Sequence, residues 1–282
     1  MWPHEVVVIP SPFDGMLAHE ATPRRRWQVN AAIGLKLILP LTILVLWEAV
    51  ARTGLIPAYN FPPPSAVLST LIELARSGVM FTHLSISALR VLLGFLIGAG
   101  AGTILGALTG FSAKWRDVFD GTVQSLRSIP IIAWVPLFIL WLGIDEAPKI
   151  CLIAIGAFFP VYLNLYTALR GVDRKLIEVG RANRMTGWRL VRRVMLPSAL
   201  PAYFVGLRTG LSLSWMFVAA AELLGASSGI GYMLLEAQSL GRPAVVIASM
   251  ILFGICGKAT DLVLAAASAR LLHWQDTVQA EG

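Results

Sequence analysis

Six long apolar stretches, about 33–52, 86–111, 118–142, 148–169, 198–221 and 245–270, leave this chain little choice of fold. A helix rises about 1.5 Å per residue, so about 20 apolar residues cross the roughly 30 Å hydrocarbon core of a bilayer. Every stretch reaches that length. Charged residues make up 14% of the 282-residue chain, whereas a soluble domain carries about 25%. Mean hydropathy is +0.72. The expected fold class is an all-α membrane protein with about six transmembrane helices.

The net charge of +7 raises the question of nucleic acid. The basic residues gather in loops that flank the apolar stretches, which fits membrane topology better, and no nucleic-acid partner is expected. Arg24, Arg25 and Arg26 precede the first span, Lys114 and Arg116 follow the second, and a dense basic run follows the fourth. The alternate segments, 53–85, 143–147 and 222–244, hold only Arg76 and Arg242 beside several acids. By the positive-inside rule both termini are cytoplasmic in a bacterial inner membrane. No apolar core follows a basic start in the first 30 residues, so they read as a tail and not a signal peptide. The expected organisation is a tail over 1–32, a membrane domain over 33–270 with a cytoplasmic loop at 171–197, and a second tail over 271–282. Cys151 and Cys256 both lie in apolar runs and read as packing residues.

Within the spans, three local features stand out. Gly94, Gly98, Gly102, Gly106 and Gly110 repeat every four residues along the second, a ladder that admits another helix closely. Static packing inside one subunit is favoured over a contact between subunits. Arg127, Ser128, Ile129 and Pro130 break the third span, with Pro136 beyond, and Pro160 and Asn164 interrupt the fourth. Such breaks often line a pathway. Before the second span, Phe61–Pro62–Pro63–Pro64 forces an extended stretch. Ser65 can then cap an amphipathic helix with Val67, Leu68, Leu71, Ile72 and Leu74 on its apolar side. A helix that lies on the membrane and closes the fold is favoured over a docking element for a partner.

The segment from Asp173 to Pro201 is basic and amphipathic, with Arg174, Lys175, Arg181, Arg184, Arg189, Arg192 and Arg193. Asp173 can cap one short helix and Thr186 a second, in which Trp188, Val191 and Met195 recur at helical spacing. Glu178 begins a pattern that continues through Val179 and Gly180 and closes on Leu196–Pro197. This segment resembles the EAA loop of ATP-binding-cassette importer permeases. Arg184 stands where that family has Gly, at a turn needing φ > 0; Asn183 or Gly187 offers a shifted turn. The likeness extends over about 55–272. Phe61–Val67, Ser125–Pro130, Trp141–Ile144, Gly156–Pro160 and Ala220–Tyr232 look like the sulfonate/taurine/nitrate/bicarbonate branch.

The resemblance implies a type I importer permease fold with cytoplasmic coupling helices. It implies two permease copies, usually identical, two cytoplasmic ATPase subunits and a periplasmic solute-binding protein. Glu178, Gly180, Arg184, Gly187, Trp188, Leu196 and Pro197 would couple to the ATPase. Glu178 would fix the loop to the ATPase or to its own second helix, and Leu196–Pro197 would set the re-entry angle. Glu222, Ser227 and Ser228 would lie at the outer gate.

No catalytic chemistry is legible. Gly254 to Thr260 lacks the glycine spacing and the Ser/Thr of a nucleotide-binding loop, so ATP is expected on a separate chain. Neither metal nor cofactor is expected, because the four histidines are scattered. Lys258 and Asp261 read as a structural ion pair on one helix face. Arg127 and Arg208 lie in apolar stretches, which makes them candidates for an oxyanion pathway together with Ser128, Pro130 and Asn164. The expected function is import of small oxyanions, aliphatic sulfonates or taurine foremost. Nitrate, bicarbonate, aromatic acids or a thiamine precursor are alternatives within the family. An ATPase-independent channel or carrier is the alternative outside it.

Overall fold

The computed structural model describes residues 25–54, 57 and 59–274. The tails expected over 1–32 and 271–282 lie outside them up to residue 24 and beyond 274. The chain divides into two compact units, Met1–Ile56 and Pro57–Gly282. The first contributes α1 (Arg25–Arg52), which contains the expected first span and carries Pro40 inside it.

The second unit starts with α2 (Pro64–Arg76), then α3 (Val79–Phe111), α4 (Ala113–Arg127), a 3-10 turn (Ile131–Trp134) and α5 (Val135–Leu142). It continues with α6 (Glu146–Arg170), α7 (Arg174–Ala182), α8 (Gly187–Leu190), a π turn (Val191–Met195), α9 (Leu196–Leu223), α10 (Ile230–Ser239) and α11 (Pro243–Leu271). Among the described residues, α3, α6, the run Gly187–Leu223 and α11 are each long and apolar enough to cross a bilayer. The third expected span is broken, as its sequence implies. α4 and the Ile131–Leu142 pair meet at 95° across Ser128–Pro130, where Pro130 withholds a backbone donor.

Three expectations need adjusting. α3 begins at Val79, not 86, because Gly78 takes the left-handed conformation that starts the helix and the Thr82 and Ser85 hydroxyls donate to the Gly78 and Thr82 carbonyls. α2 has Pro63 at its N-cap and Pro64 at its first position, so Ser65 is already inside the helix. Its inner face is Val67, Leu71 and Leu74, against α3 and α11, while Leu68 and Ile72 are exposed. The helix also does not start at Leu196–Pro197. The π turn joins α8 to α9 without a break, and Pro197, which has no N–H to donate, follows directly on that turn.

The centre of this unit is α6, with α3 on one flank and α9 on the other. The glycine ladder faces α6. A Cβ at Gly94 would meet Ile153, at Gly98 and Gly102 the backbone carbonyls of Ala154 and Phe158, and at Gly110 Leu169. Gly206 and Gly210 do the same for the α9 flank, against Pro160, Asn164 and Ala157. Close backbone approach replaces the hydrophobic drive that lipid cannot supply. The ladder is therefore packing within one chain. Gly100, off the ladder, faces open space.

Candidate functional site

At one end of the unit, α7 and α8 form a small platform. Asp173 caps α7 by accepting from the Lys175 N–H at 2.9 Å. Thr186 occupies the N-cap of α8 in extended conformation without a side-chain cap bond. Gly180 is buried where α7 crosses α8 and the π turn; a Cβ there would lie 2.6 Å from Leu190. The platform's outer face carries Leu176, Val179 and Trp188, with Trp188 71% exposed. Arg174, Arg181, Arg184 and Arg189 of the same segment are exposed too. Glu178 is exposed, and its side chain makes no hydrogen bond or ion pair with α8 or any other described residue. Exposed apolar and basic side chains together are the make-up of an interface core with a polar margin.

Arg184 is the sole non-glycine with positive φ among the described residues, at 56°. Of the two alternatives, Asn183 stays at φ −83° while its side chain bonds the Val179 carbonyl, and Gly187 takes the left-handed region at φ 53° in addition to Arg184. Left-handed backbone costs a residue with a Cβ about 1–2 kcal/mol, and glycine's extra freedom when unfolded offsets part of the relief. Arg184→Gly should therefore stabilise the turn by about 0.5–1 kcal/mol. The Met185 N–H, bonded to the Gly180 carbonyl at 3.0 Å, reports it. Its hydrogen exchange should slow about two- to fivefold, and unchanged exchange would show that the turn is unstrained.

The pathway candidates are not gathered in one place. Arg127 ends α4 and is exposed, Ser128 donates to the Gln124 carbonyl, and Pro130 is exposed at the bend. Asn164 is half-buried against α9 and donates to the Pro160 carbonyl at 2.9 Å. Among the described residues no hydrogen bond or ion pair joins any two of Arg127, Ser128, Asn164 and Arg208. Arg208 is forked onto Asp261 of α11, Nε to Oδ1 at 2.7 Å and Nη2 to Oδ2 at 2.9 Å. Lys258 approaches the same carboxylate only to 3.7 Å. The expected Lys258–Asp261 pair is thus secondary to a bond between helices. Trp215 donates to Thr260 at 2.9 Å, a second tie between α9 and α11.

The opposite end of the unit holds a clasp (Arg90 at its centre) that the sequence reading missed. Arg90 is 3% exposed and Glu222 fully buried. The Arg90 Nε and Nη2 donate to Glu146 at 2.6 and 2.7 Å. Its Nη1 donates to Glu222 at 2.8 Å and to the Ser228 carbonyl at 2.6 Å. Glu222 also accepts from Ser87 at 2.6 Å and from the Gly231 N–H at 2.7 Å. Ser87 in turn accepts from Ile230 N–H at 2.8 Å, and His83 accepts from Gly229 N–H at 3.0 Å. Lys149 closes the set on Glu146 at 3.2 Å. Gly229 has φ 115° and lies so close to the Glu222 carboxyl that a Cβ would overlap it. The clasp ties the turn between α9 and α10 to α3 and α6. Ser227 stays exposed beside it. Arg90 was detectable as the one charge in Ala88–Phe95, by the criterion that singled out Arg208.

Residues 94–273 match the family model described as "Binding-protein-dependent transport system inner membrane component". The chain belongs to this family. The binding-protein-dependent transport component is a multi-pass membrane subunit and not an enzyme. Among curated members, SsuC of Bacillus subtilis (strain 168), an aliphatic sulfonates transport permease protein by name, is 42% identical over 86% of this chain and 88% of its own length. SsuC of Escherichia coli (strain K12) is 37% identical over 90% and 93%. The taurine transport system permease protein TauC of the same strain is 30% identical over 93% and 97%. Among solved structures, an amino acid ABC transporter chain aligns with a TM-score of 0.58 at 15% identity, over 73% of this chain and 98% of that one. A chain of the methionine ABC transporter MetNI aligns at 0.52 and 23% identity, over 70% and 97%. These two likenesses establish the importer permease fold, as expected from the sequence.

Proposed function

We propose that this chain is the transmembrane subunit of an ATP-driven importer for small oxyanions, with aliphatic sulfonates or taurine as solute. The observation that carries this reading is the likeness to SsuC and TauC along nearly the whole chain. Two copies of the chain pair with two cytoplasmic ATPases, and a periplasmic binding protein delivers the solute. The α7–α8 platform supports the coupling role: Trp188, Val179 and Leu176 seat in the ATPase, and Glu178, whose side chain has no partner among the described residues, bonds the ATPase. Gly180, Arg184 and Gly187 shape the platform, and Leu196–Pro197 carry its motion into α9 along one continuous helix. Both termini lie in the cytoplasm, which puts the Arg90 clasp with Glu222, Ser227 and Ser228 at the outer gate.

The test is ATP hydrolysis by the permease–ATPase complex in lipid nanodiscs, with binding protein loaded with taurine, an alkanesulfonate or nitrate. Several-fold stimulation by a sulfonate-loaded binding protein is expected. Stimulation by nitrate alone would reassign the solute, and a permease that binds no ATPase would overturn the reading.

A further inference from the structure

Among the described residues, α3, α6, α9 and α11 carry two ionic clusters of opposite character. The Arg90 clasp combines Arg90 and Lys149 with Glu146 and Glu222, so its charges cancel, and it is largely buried. It offers nothing to an incoming anion. The second cluster is Arg208, Lys258 and Asp261, two cations against one carboxylate. It keeps a net positive charge, and it is open: Arg208 is 44% exposed and Lys258 68%. Arg208 and Asp261, with Val205, Thr209 and Ser212, line an open cavity of about 380 Å³.

Depth makes this cluster informative. Arg208 lies about 18 Å along α9 from Leu196 and about 22 Å from Leu223 at helical rise, near the middle of the span. Charged side chains on an open face at that depth are costly against acyl chains, which favours a face that borders a polar space. The Asp261 fork uses two of the five guanidinium N–H donors. Three remain, on Nη1 and Nη2, held in place by the carboxylate behind them. Ser212, one turn along α9, adds an exposed hydroxyl.

We infer that Arg208, oriented by Asp261 and supported by Lys258 and Ser212, is an anion-binding station for a sulfonate-type oxyanion within the permease itself. This inference rests on the importer reading above. A planar guanidinium edge can bond two oxygens of R–SO3− at once, which an ammonium cannot. Asp261 is a positioning residue, not a ligand: it leaves the site at one net positive charge, enough to attract an anion without trapping it.

The competing account is that Arg208 and Asp261 merely staple α9 to α11. Uptake of labelled taurine and ethanesulfonate by the reconstituted permease–ATPase–binding-protein complex separates the two. Arg208→Lys keeps the charge but loses the fork; KM should rise at least tenfold with the maximal rate changed less. Arg208→Gln with Asp261→Asn keeps a hydrogen-bonded staple without net charge, and uptake should fall at least tenfold while the complex still co-purifies. Should that pair fail to assemble, the Arg208→Lys KM decides. Thr260→Val removes the other staple, the Trp215 bond, and uptake should stay within about threefold. Normal uptake by both Arg208 variants, or an equal loss in Thr260→Val, overturns the station and leaves the importer reading intact. No sulfonate uptake by the wild-type complex overturns both.

Discussion

Glu222→Ala should destabilise the permease by about 3–5 kcal/mol, the largest single-residue effect expected in this chain. Glu222 is fully buried and answers three donors: the Ser87 hydroxyl, the Arg90 guanidinium and the Gly231 N–H. Removing it strands part of a buried guanidinium and orphans a backbone N–H, each costing more than the bond was worth. Glu146 on the other side of Arg90 is half exposed, so water replaces much of what Glu146→Ala removes. That variant should cost about 1 kcal/mol or less. Glu222→Gln should fall between, since it keeps an acceptor but not the charge. Thermal unfolding of the purified protein in detergent reads the order. A drop of roughly 10 °C in apparent Tm is expected for Glu222→Ala. Equal small drops for Glu222→Ala and Glu146→Ala would mean that the clasp does not hold the turn between α9 and α10.

That clasp marks the limit of what this sequence discloses. Helical spans follow from one-dimensional facts, namely length, apolarity and the proline punctuation around Pro130. Asp173 as a cap is local chemistry too, and the structure bears it out with a bond two residues away. Arg90, Glu146 and Glu222 lie on three helices, 56 and 132 residues apart in the bonded pairs. No periodicity links them, and only the fold brings them together. Arg208 was visible as a charge in an apolar run, but its partner was assigned to Lys258, three residues from Asp261, because local pairing is what spacing can show. The turn at Arg184 failed in the other direction. Local preference favours Asn183 or Gly187 for left-handed backbone; Gly187 takes it, at φ 53°, but Asn183 does not, because packing of Gly180 on Leu190 fixes where α7 must end. The strain falls on Arg184 because the tertiary contact outweighs about 1–2 kcal/mol of backbone preference.

The glycine ladder was legible as a close-packing device, and its partner helix makes a sharp prediction possible. A Cβ at Gly98 would overlap the Ala154 carbonyl oxygen of α6, and that obstacle is backbone, not a side chain that can swing aside. Gly98→Ala must push α3 and α6 apart along the tightest part of their contact. It should cost about 2–3 kcal/mol, the upper part of the range for overpacking. Gly100, two residues on, points into open space, with nothing within 4 Å of its would-be Cβ. Gly100→Ala should be neutral or slightly stabilising, since alanine is the better helix former. The two variants add the same methyl to the same helix, so general effects on insertion cancel in the comparison. Apparent Tm in detergent, with the fraction that remains monodisperse on gel filtration, reads the difference. Because α6 is also clamped by Gly206 and Gly210 of α9, it cannot move away from α3 without disturbing its other flank. The cost at Gly98 should therefore persist even after relaxation. Equal stability of Gly98→Ala and Gly100→Ala would mean that α3 and α6 are not held at backbone contact, and that the ladder serves a surface outside this chain.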